Sequence, residues 1–344
     1  MGLGVTSPEP RQRPRLDSTG PPEREVCSDL DGLVIDSLQP DIEIETEVAA
    51  AHGARLRRWD GSPSQLAEAD FVLHVRTRLD AEFLAALTRC RVIGRFGTGL
   101  DSVDLEAARN LGMDVVGVPD YATEQVAQHA LALALAVGRG LGSLGGHPPR
   151  DAWRKLTQVP ALGISGPVGI VGFGAIGAAA ARMFGGLGFE VIVHTVPAAD
   201  ETIRDMGFEP VGDLDSLLAH SEVVSLHAAL GPSTRHLLGS AQLALLPANA
   251  IVVNTGRAGL VDPEALIDSL ERGHLRGAGI DAFEGDDGAR LWQMLIERPE
   301  LNVVTTPHIA WCSPASIDRL RREAVLRVMT AIGAANVADE SNGD

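Results

Sequence analysis

Cysteines, long apolar runs and basic clusters are scarce in this sequence of 344 residues. Its cysteines, Cys27, Cys90 and Cys312, are odd in number and lack metal-ligand spacing, so we expect neither a disulfide framework nor a metal site. No apolar run reaches the length of a membrane-spanning helix, and the N-terminus lacks the apolar segment of a signal peptide. These absences predict a cytoplasmic protein without contact with a membrane.

Positive charge is the scarcer sign. The formal net charge is −17, and no local cluster of basic residues offsets it, so we expect no binding to nucleic acid. The composition, 45% apolar and 22% charged, is typical of a globular protein, and the length suffices for two domains. Residues 1–25 are rich in Pro, Gly and charge and predict a flexible tail.

Short β-branched runs alternate with Ala/Leu-rich stretches from residue 26 onwards. Ten of these runs predict strands, at 33–36, 71–75, 92–96, 114–118, 168–172, 190–194, 223–227, 250–254, 278–282 and 302–306. Nearly continuous apolar strands separated by helices indicate parallel sheets covered on both faces, hence an α/β fold. Ten strands exceed one ordinary sheet, which favours two domains.

A glycine-rich stretch, "VGIVGFGAIGAAAARMF" (168–184), joins a predicted strand to a predicted helix. Gly172, Gly174 and Gly177 form G-x-G-x-x-G: the first makes a tight turn, the second admits a pyrophosphate and the third allows close helix–strand packing. The helix N-terminus supplies partial positive charge. In this context the pattern predicts dinucleotide binding, and we include Ala175 and Ile176 in that site.

The next strand lacks the acid that commonly selects NAD. In "EVIVHTVPAAD" the strand end carries Thr195, with no acid until Asp200 and no nearby arginine. An acid there would bond the ribose 2′-hydroxyl of NAD and repel the 2′-phosphate of NADP. Its absence removes that barrier, while nothing positively selects NADP. We predict NAD as the cofactor, with NADP as the alternative.

Three polar residues follow successive strands further along the chain. Arg257 lies in "VVNTGRAGLVD" (252–262), Asp281 in "AGIDAFEGDD" and His308 in "VVTTPHIAW" (303–311). Ligands of open α/β sheets bind at the carboxyl ends of the strands, so we expect these residues to lie together. Each alone fits a structural role, such as a surface ion pair. Together they could bind a 2-oxo acid, polarise its carbonyl and deliver a proton.

With these motifs the chain resembles the D-isomer-specific 2-hydroxyacid dehydrogenases over about residues 30–335. The resemblance is strongest in four stretches: "GRFGTGLDSVDLEAARNLGMDVVGVPDYATEQVAQHALALALA", "GIVGFGAIG", "VNTGRAGLVDPEALIDSLERGHLRGAGIDAFE" and "TPHIAW". The early "IDSLQPDIEIETEV" and the tryptophan of "HIAWCS" are similar to the branch of the C-terminal binding proteins.

The resemblance implies two doubly wound parallel-sheet domains. A flavodoxin-like, split substrate domain would comprise 26–119 and 313–337, and a Rossmann nucleotide-binding domain would comprise 120–312. Residues 338–344 would form a frayed C-terminus. The family also implies a homodimer through the predicted helix 122–142.

The same resemblance assigns roles to individual residues. Arg257 falls on the substrate-binding arginine, His308 on the acid/base histidine and Asp281 on the acid that orients the nicotinamide amide. The loop whose N–H groups hold the substrate carboxylate corresponds to Gly97, Thr98 and Gly99. The predicted cofactor site further includes Thr98, Ala228, Thr255, Gly256 and Trp311. At Ala228 the stretch "LHAAL" lacks a proline that relatives often have.

The carboxylate that assists the histidine is the main departure from the family. Relatives place a Glu five residues after the nicotinamide Asp, and that position here is Asp286. A carboxylate beside the imidazole fixes its tautomer and favours its charged form. We predict Asp286 as the partner of His308, with a weakened or lost partner as the alternative, and we expect Asp287 to face solvent.

The sequence contains fewer indications of the substrate. Arg76, in "VLHVRTRLDAEF" (72–83), faces the active-site mouth by resemblance. A second anionic group on the substrate would explain it, and so would an ordinary surface arginine. We predict an NAD(P)-dependent dehydrogenase that interconverts a 2-oxo acid and its D-2-hydroxy acid. The alternative is a dinucleotide-sensing scaffold or corepressor on the same fold, with little or no turnover.

Overall fold

The computed structural model describes residues 30–144 and 163–341 and contains two parallel sheets. The first sheet has five strands: β1 (Leu30–Val34), β2 (Ala54–Arg58), β3 (Phe71–His74), β4 (Val92–Arg95) and β5 (Asp114–Val116). The second has seven: β6 (Val168–Val171), β7 (Val191–His194), β8 (Glu209–Pro210), β9 (Val223–Leu226), β10 (Ala250–Asn254), β11 (Leu275–Ile280) and β12 (Val303–Thr305).

Helices connect the strands on both faces of each sheet. The longer ones are α1 (Glu43–Ala51), α5 (Thr123–Gly138), α7 (Ala175–Gly186), α11 (Pro263–Glu271), α12 (Gly285–Ile296) and α13 (Pro314–Ser341). The shorter ones are α2 (Pro63–Glu68), α3 (Ala81–Ala85), α4 (Leu105–Asn110), α6 (Leu141–Leu144), α8 (Asp200–Asp205), α9 (Leu214–His220) and α10 (Ser240–Leu245). A short 3₁₀-helix spans Ala258–Leu260. The predicted tail, residues 1–25, lies outside the described residues.

The strand orders are those of doubly wound sheets. The first sheet runs β2-β1-β3-β4-β5 and the second β12-β11-β10-β9-β6-β7-β8, with every pair parallel. β6, β9 and β10 are buried along their whole length because helices cover both of their faces. The predicted α/β class with two parallel sheets is confirmed.

Helix α5 packs closely onto the second sheet through small side chains. Ala127, Ala130 and Ala134 are fully buried and share a core cluster with the alanines of α7. Gly279 of β11 permits this approach, since a Cβ there would lie 2.7 Å from Cβ of Leu133. One side of the predicted 122–142 helix nevertheless stays open in the single chain, where Leu141 of α6 is 60% exposed.

The chain returns to the first sheet at its end. Helix α13 buries Leu320, Ala324 and Val328 against β3 and β4. Gly94 of β4 makes room, because a Cβ there would lie 2.5 Å from a methyl of Val328. The buried Arg321 fixes the helix by donating to the carboxylate of Glu45 at 2.6 Å. Within the described residues no helix is long and apolar enough to cross a membrane.

Candidate active site

The glycine-rich turn after β6 has the shape that a pyrophosphate requires. Gly172 has φ +92°, and a Cβ there would lie 2.6 Å from the amide nitrogen of Ala228. A Cβ on Gly177 would clash with the carbonyl oxygen of Gly172. Gly174 caps α7, and no atom of the residues that the structure describes lies within 4 Å of an added Cβ. The N-terminus of α7 thus stays free for an anion, with Ala175 exposed in its first turn.

Thr195 follows β7 at the position where many NAD-binding proteins carry an acid. Thr195 accepts a hydrogen bond from the backbone N–H of Phe173 at 3.2 Å, so it holds the glycine-rich turn. Val196, the next residue, is 84% exposed. Thr195 therefore lies at the predicted cofactor site, and its role there is to shape the turn.

A cleft with a cavity volume of about 360 Å³ brings together five of the predicted cofactor residues: Thr98, Ile176, Ala228, Thr255 and Gly256. Its walls come from loops beside both sheets and include Thr98, Gly99, Ile176, Ala228, Thr255, Gly256 and Arg257. The buried hydroxyl of Thr255 has no hydrogen-bond partner among the described residues, so it is available to a ligand. The cleft also contains His227, which the sequence analysis did not select; burial lowers its pKa to about 4 and keeps it neutral.

Arg257 lies at the carboxyl end of β10 on a turn that Asn254 holds. The side chain of Asn254 donates to the carbonyl of Arg257 at 2.9 Å and accepts from the N–H of Gly256 at 3.0 Å. The guanidinium of Arg257 is 27% exposed and lies 3.5 Å from Asp101 and 3.9 Å from Glu284. Its Nη2 atom occupies the space where a Cβ on Gly99 would project.

The predicted carboxylate-binding loop, 97–99, faces Arg257 from the first sheet. The Thr98 hydroxyl donates to the carbonyl of Val118 at 3.0 Å, and the N–H of Val118 donates to the carbonyl of Gly97 at 2.9 Å. These bonds fix the loop against the chain that leads into α5. Glycines at 97 and 99 leave room for guanidinium groups on either side.

A second cation, Arg95, lies at this loop and was missed from the sequence. It ends β4, and its Nη1 atom fills the space beside Gly97. Its Nε is buried without a hydrogen-bond partner within residues 30–144 and 163–341. Burial, and then the nearby positive charge of Arg257, lower the pKa of this guanidinium. The predicted Arg76 is exposed instead; its backbone N–H donates to Asp36 at 2.7 Å.

His308 projects from the turn after β12, and its partner is Glu284. Nδ1 of His308 lies 3.2 Å from Oε2 of Glu284, and the two side chains are 44% and 38% exposed. Oε1 of Glu284 accepts from the N–H of Ala258 at 3.1 Å. Burial alone raises the pKa of Glu284, but the hydrogen bond from His308 and neighbouring donors outweigh it and hold this pKa below its ordinary value.

The prediction that Asp286 assists His308 is wrong. Helix α12 begins at Gly285, which has φ +70°, and Asp286 lies exposed in its first turn. Glu284 stands just before the helix with an extended backbone, which directs its side chain towards Arg257 and His308. Asp287 does not face solvent either; it is 15% exposed and pairs with Arg235 at 2.8 Å.

Asp281 and Trp311 flank the turn that carries His308. Asp281 is 1% exposed at the end of β11, and its carboxylate accepts from the backbone N–H groups of Ile309 and Ala310, each at 2.9 Å. The indole N–H of Trp311 donates to the carbonyl of His308 at 2.9 Å. The Trp311 ring packs at 6.2 Å from the ring of Tyr121.

The fold and the site define a dinucleotide-binding α/β protein with an arginine in the cleft and a histidine–carboxylate pair beside that arginine. Residues 131–310 match the family described as D-isomer specific 2-hydroxyacid dehydrogenase, NAD binding domain. The chain belongs to this family, and its glycine-rich turn, open helix N-terminus and unpartnered Thr255 hydroxyl suit NAD. Among the described residues no group of His, Cys, Asp and Glu could hold a metal ion.

Known proteins similar to this chain carry several dehydrogenase and reductase names. The D-3-phosphoglycerate dehydrogenase of Methanocaldococcus jannaschii is 32% identical, covering 80% of this chain and 52% of its own length. The glyoxylate reductase of Thermococcus litoralis is 34% identical, covering 68% and 72%. A solved pyruvate reductase of Chlamydomonas reinhardtii superposes with a TM-score of 0.72 at 26% identity, covering 90% and 98%. The chain thus spans about half the length of the phosphoglycerate dehydrogenases that it matches.

Proposed function

We propose that this chain transfers a hydride between a nicotinamide dinucleotide and a 2-oxo acid or D-2-hydroxy acid. One observation carries the proposal: a single carboxylate, Glu284, lies 3.9 Å from Arg257, which lines the cleft, and 3.2 Å from His308. An anion-binding group and a proton-transfer group are therefore held side by side. This is the pair that reduction of a carbonyl next to a carboxylate requires.

Arg257, His308 and Glu284 have different roles, which follow from the chemistry of their side chains. Arg257 binds the substrate carboxylate or carbonyl by its paired N–H groups, with the N–H groups of loop 97–99 on the opposite side. Because Nδ1 of His308 is engaged by Glu284, Nε2 is the ring nitrogen left to protonate the carbonyl oxygen. Glu284 stabilises the imidazolium. When bound, the nicotinamide supplies the hydride in reduction and accepts it in oxidation.

Arg95 supports a substrate that carries a second anionic group. Its guanidinium lies beside loop 97–99, next to the like charge of Arg257, and its Nε has no hydrogen-bond partner among the described residues. Asp101 and Asp36 act on it only at longer range, without an ion pair. A second carboxylate or a phosphate on the substrate would supply the missing counter-charge. One group of relatives is named D-3-phosphoglycerate dehydrogenase. The 3-phosphoglycerate of that name carries both a carboxylate and a phosphate. We assign to Arg95 the role that the sequence analysis gave to Arg76.

The oligomeric state and the cellular location are also proposals. We propose a homodimer through α5 and α6, supported by the apolar Leu135 and Leu141 on the exposed side of this segment. Light scattering of the purified protein tests this assembly. We propose the cytoplasm as its location, supported by the free thiols of Cys90 and Cys312, and cell fractionation tests it.

The decisive experiment follows oxidation of NADH or NADPH in the presence of 2-oxo acids, including diacids and phosphorylated acids. We expect turnover that is lost in His308→Ala and retained in the control His220→Ala, whose exposed side chain lies on α9 and bonds the carbonyl of Ser216 in the same helix. Cofactor binding without turnover on any acid would instead support the dinucleotide-sensing scaffold.

A further inference from the structure

The backbone at His308 adopts an unusual conformation. His308 has φ +56°, in the left-handed region that residues other than glycine rarely occupy. Such a conformation costs free energy, so it persists only where surrounding contacts impose it. The direction in which the imidazole points depends on this backbone.

Hydrogen bonds to Asp281 impose the conformation. The N–H of His308 donates to the backbone carbonyl of Asp281 at 2.9 Å. The next two N–H groups, of Ile309 and Ala310, donate to its carboxylate oxygens Oδ1 and Oδ2. Three successive N–H groups thus donate to one buried residue, the first to its backbone carbonyl and the next two to its carboxylate, and these bonds fix the turn that carries His308.

Two further side chains hold the acid from behind. The Thr306 hydroxyl donates to Oδ1 of Asp281 at 2.5 Å, and Nε2 of His129 lies 2.8 Å from that hydroxyl oxygen. A hydroxyl has one proton, and here it goes to the carboxylate, so Nε2 of His129 must be the donor to Thr306. His129 belongs to α5, the helix that also packs against α7 behind the glycine-rich turn.

We propose that His129, Thr306 and Asp281 form a positioning chain that holds the acid/base histidine in its left-handed turn. The inference rests on the proposed function, and it gives Asp281 a task beyond contact with a nicotinamide amide. The two tasks are compatible: within the described part of the chain Oδ2 accepts from Ala310 alone, so it keeps capacity for another donor. The chain also makes the position of His308 depend on the helix that supports the cofactor site.

Thr306 is the best residue to substitute because it does not line the cleft. Thr306→Val keeps the shape and removes the hydroxyl donor, whereas Thr306→Ser keeps the donor. We expect Thr306→Val to lower kcat roughly ten- to a hundredfold while KM for the acid and Kd for NADH stay within about twofold. Thr306→Ser should recover most of the loss. Thr305→Val makes the same substitution one residue earlier and serves as the control.

His129 extends the test to the far end of the chain. His129→Gln keeps an N–H donor for Thr306, and His129→Leu removes it. We expect the Leu variant to lose kcat in the same direction as Thr306→Val, and the Gln variant to lose less. If Thr306→Ser lost as much kcat as Thr306→Val, and His129→Gln as much as His129→Leu, and these losses followed the melting temperatures, the role would be purely structural. That result would overturn the proposal.

A second readout does not depend on turnover. Hydrogen exchange of the Ile309 and Ala310 amides, followed by NMR, should be faster in Thr306→Val than in the wild type and in Thr305→Val. Unchanged exchange together with unchanged kcat would refute the positioning chain. If the wild type turned over no acid, the proposed function would fail, and the exchange rates would still decide whether Thr306 holds this turn.

Discussion

Glu284 and Asp286 are assigned opposite importance by family resemblance and by the structure. The family pattern predicts that Asp286→Asn impairs the enzyme, whereas the structure predicts this for Glu284→Gln. The amide of the glutamine variant can keep contact with Nδ1 of His308 but carries no charge. The variant therefore isolates the charge of Glu284 from its shape.

The expected size of the effect follows from the exposure of the pair. A hydrogen bond to a charged group contributes about 1.5–3 kcal/mol, and solvent reduces this where the groups are exposed. Glu284 is 38% exposed, so we take about 1–2 kcal/mol for the charge, which corresponds to roughly a five- to thirtyfold loss of kcat. We expect less than about a twofold change for the solvent-exposed Asp286→Asn.

The assay is the pH profile of kcat for oxo-acid reduction, which requires the protonated histidine. In Glu284→Gln kcat should be lower than in the wild type throughout the profile, because the imidazolium has lost its negative partner. The profile of Asp286→Asn should match the wild type. A larger loss in Asp286→Asn than in Glu284→Gln would refute the assignment of the partner.

Three other predictions concern the substrate, the cofactor and stability. Arg95→Leu should raise KM at least about tenfold for oxo acids with a second anionic group and much less for monoacids, since one charge-assisted contact is lost. Gly177→Ala should abolish NADH binding, measured by fluorescence titration, because its Cβ would displace the Gly172 carbonyl, whereas Gly186→Ala, with open space around it, should bind normally. Burial lowers the pKa of His74 to about 4, so the unfolded chain takes up the proton first and stability should fall by about 3 kcal/mol between pH 7 and pH 4. Denaturant titrations should show a flatter pH dependence in His74→Leu; an unchanged one would contradict this account.

Much of the site could be predicted because the carboxyl ends of parallel strands meet at one edge. Arg257, Asp281 and His308 follow β10, β11 and β12, which are neighbours in the second sheet. Arg95 ends β4 in the same way, so the rule that selected Arg257 would have selected it too. That its guanidinium turns towards Gly97 follows only from the three-dimensional structure.

The sequence misled where local backbone geometry determines the direction of a side chain or the presence of a strand. A family spacing predicted Asp286, but helix α12 starts at Gly285 and turns that side chain outwards. Two strands, β2 and β8, were not predicted. β2 has three arginines in five residues and exposes alternate side chains at a sheet edge, and β8 has two residues, one of them proline. Neither has the continuous apolar run that marked the central strands.

The return of helix α13 to the first sheet determines when that half of the protein can fold. Phe71 and Leu73 lie under residues that the ribosome adds some 250 positions later. Until then β3 and β4 lack one apolar cover, and Glu45 lacks the guanidinium of Arg321. The second sheet, by contrast, is encoded without interruption and can consolidate first. A chain cut just before Pro314 should therefore keep a folded nucleotide-binding half while its earlier-made half stays open to proteolysis.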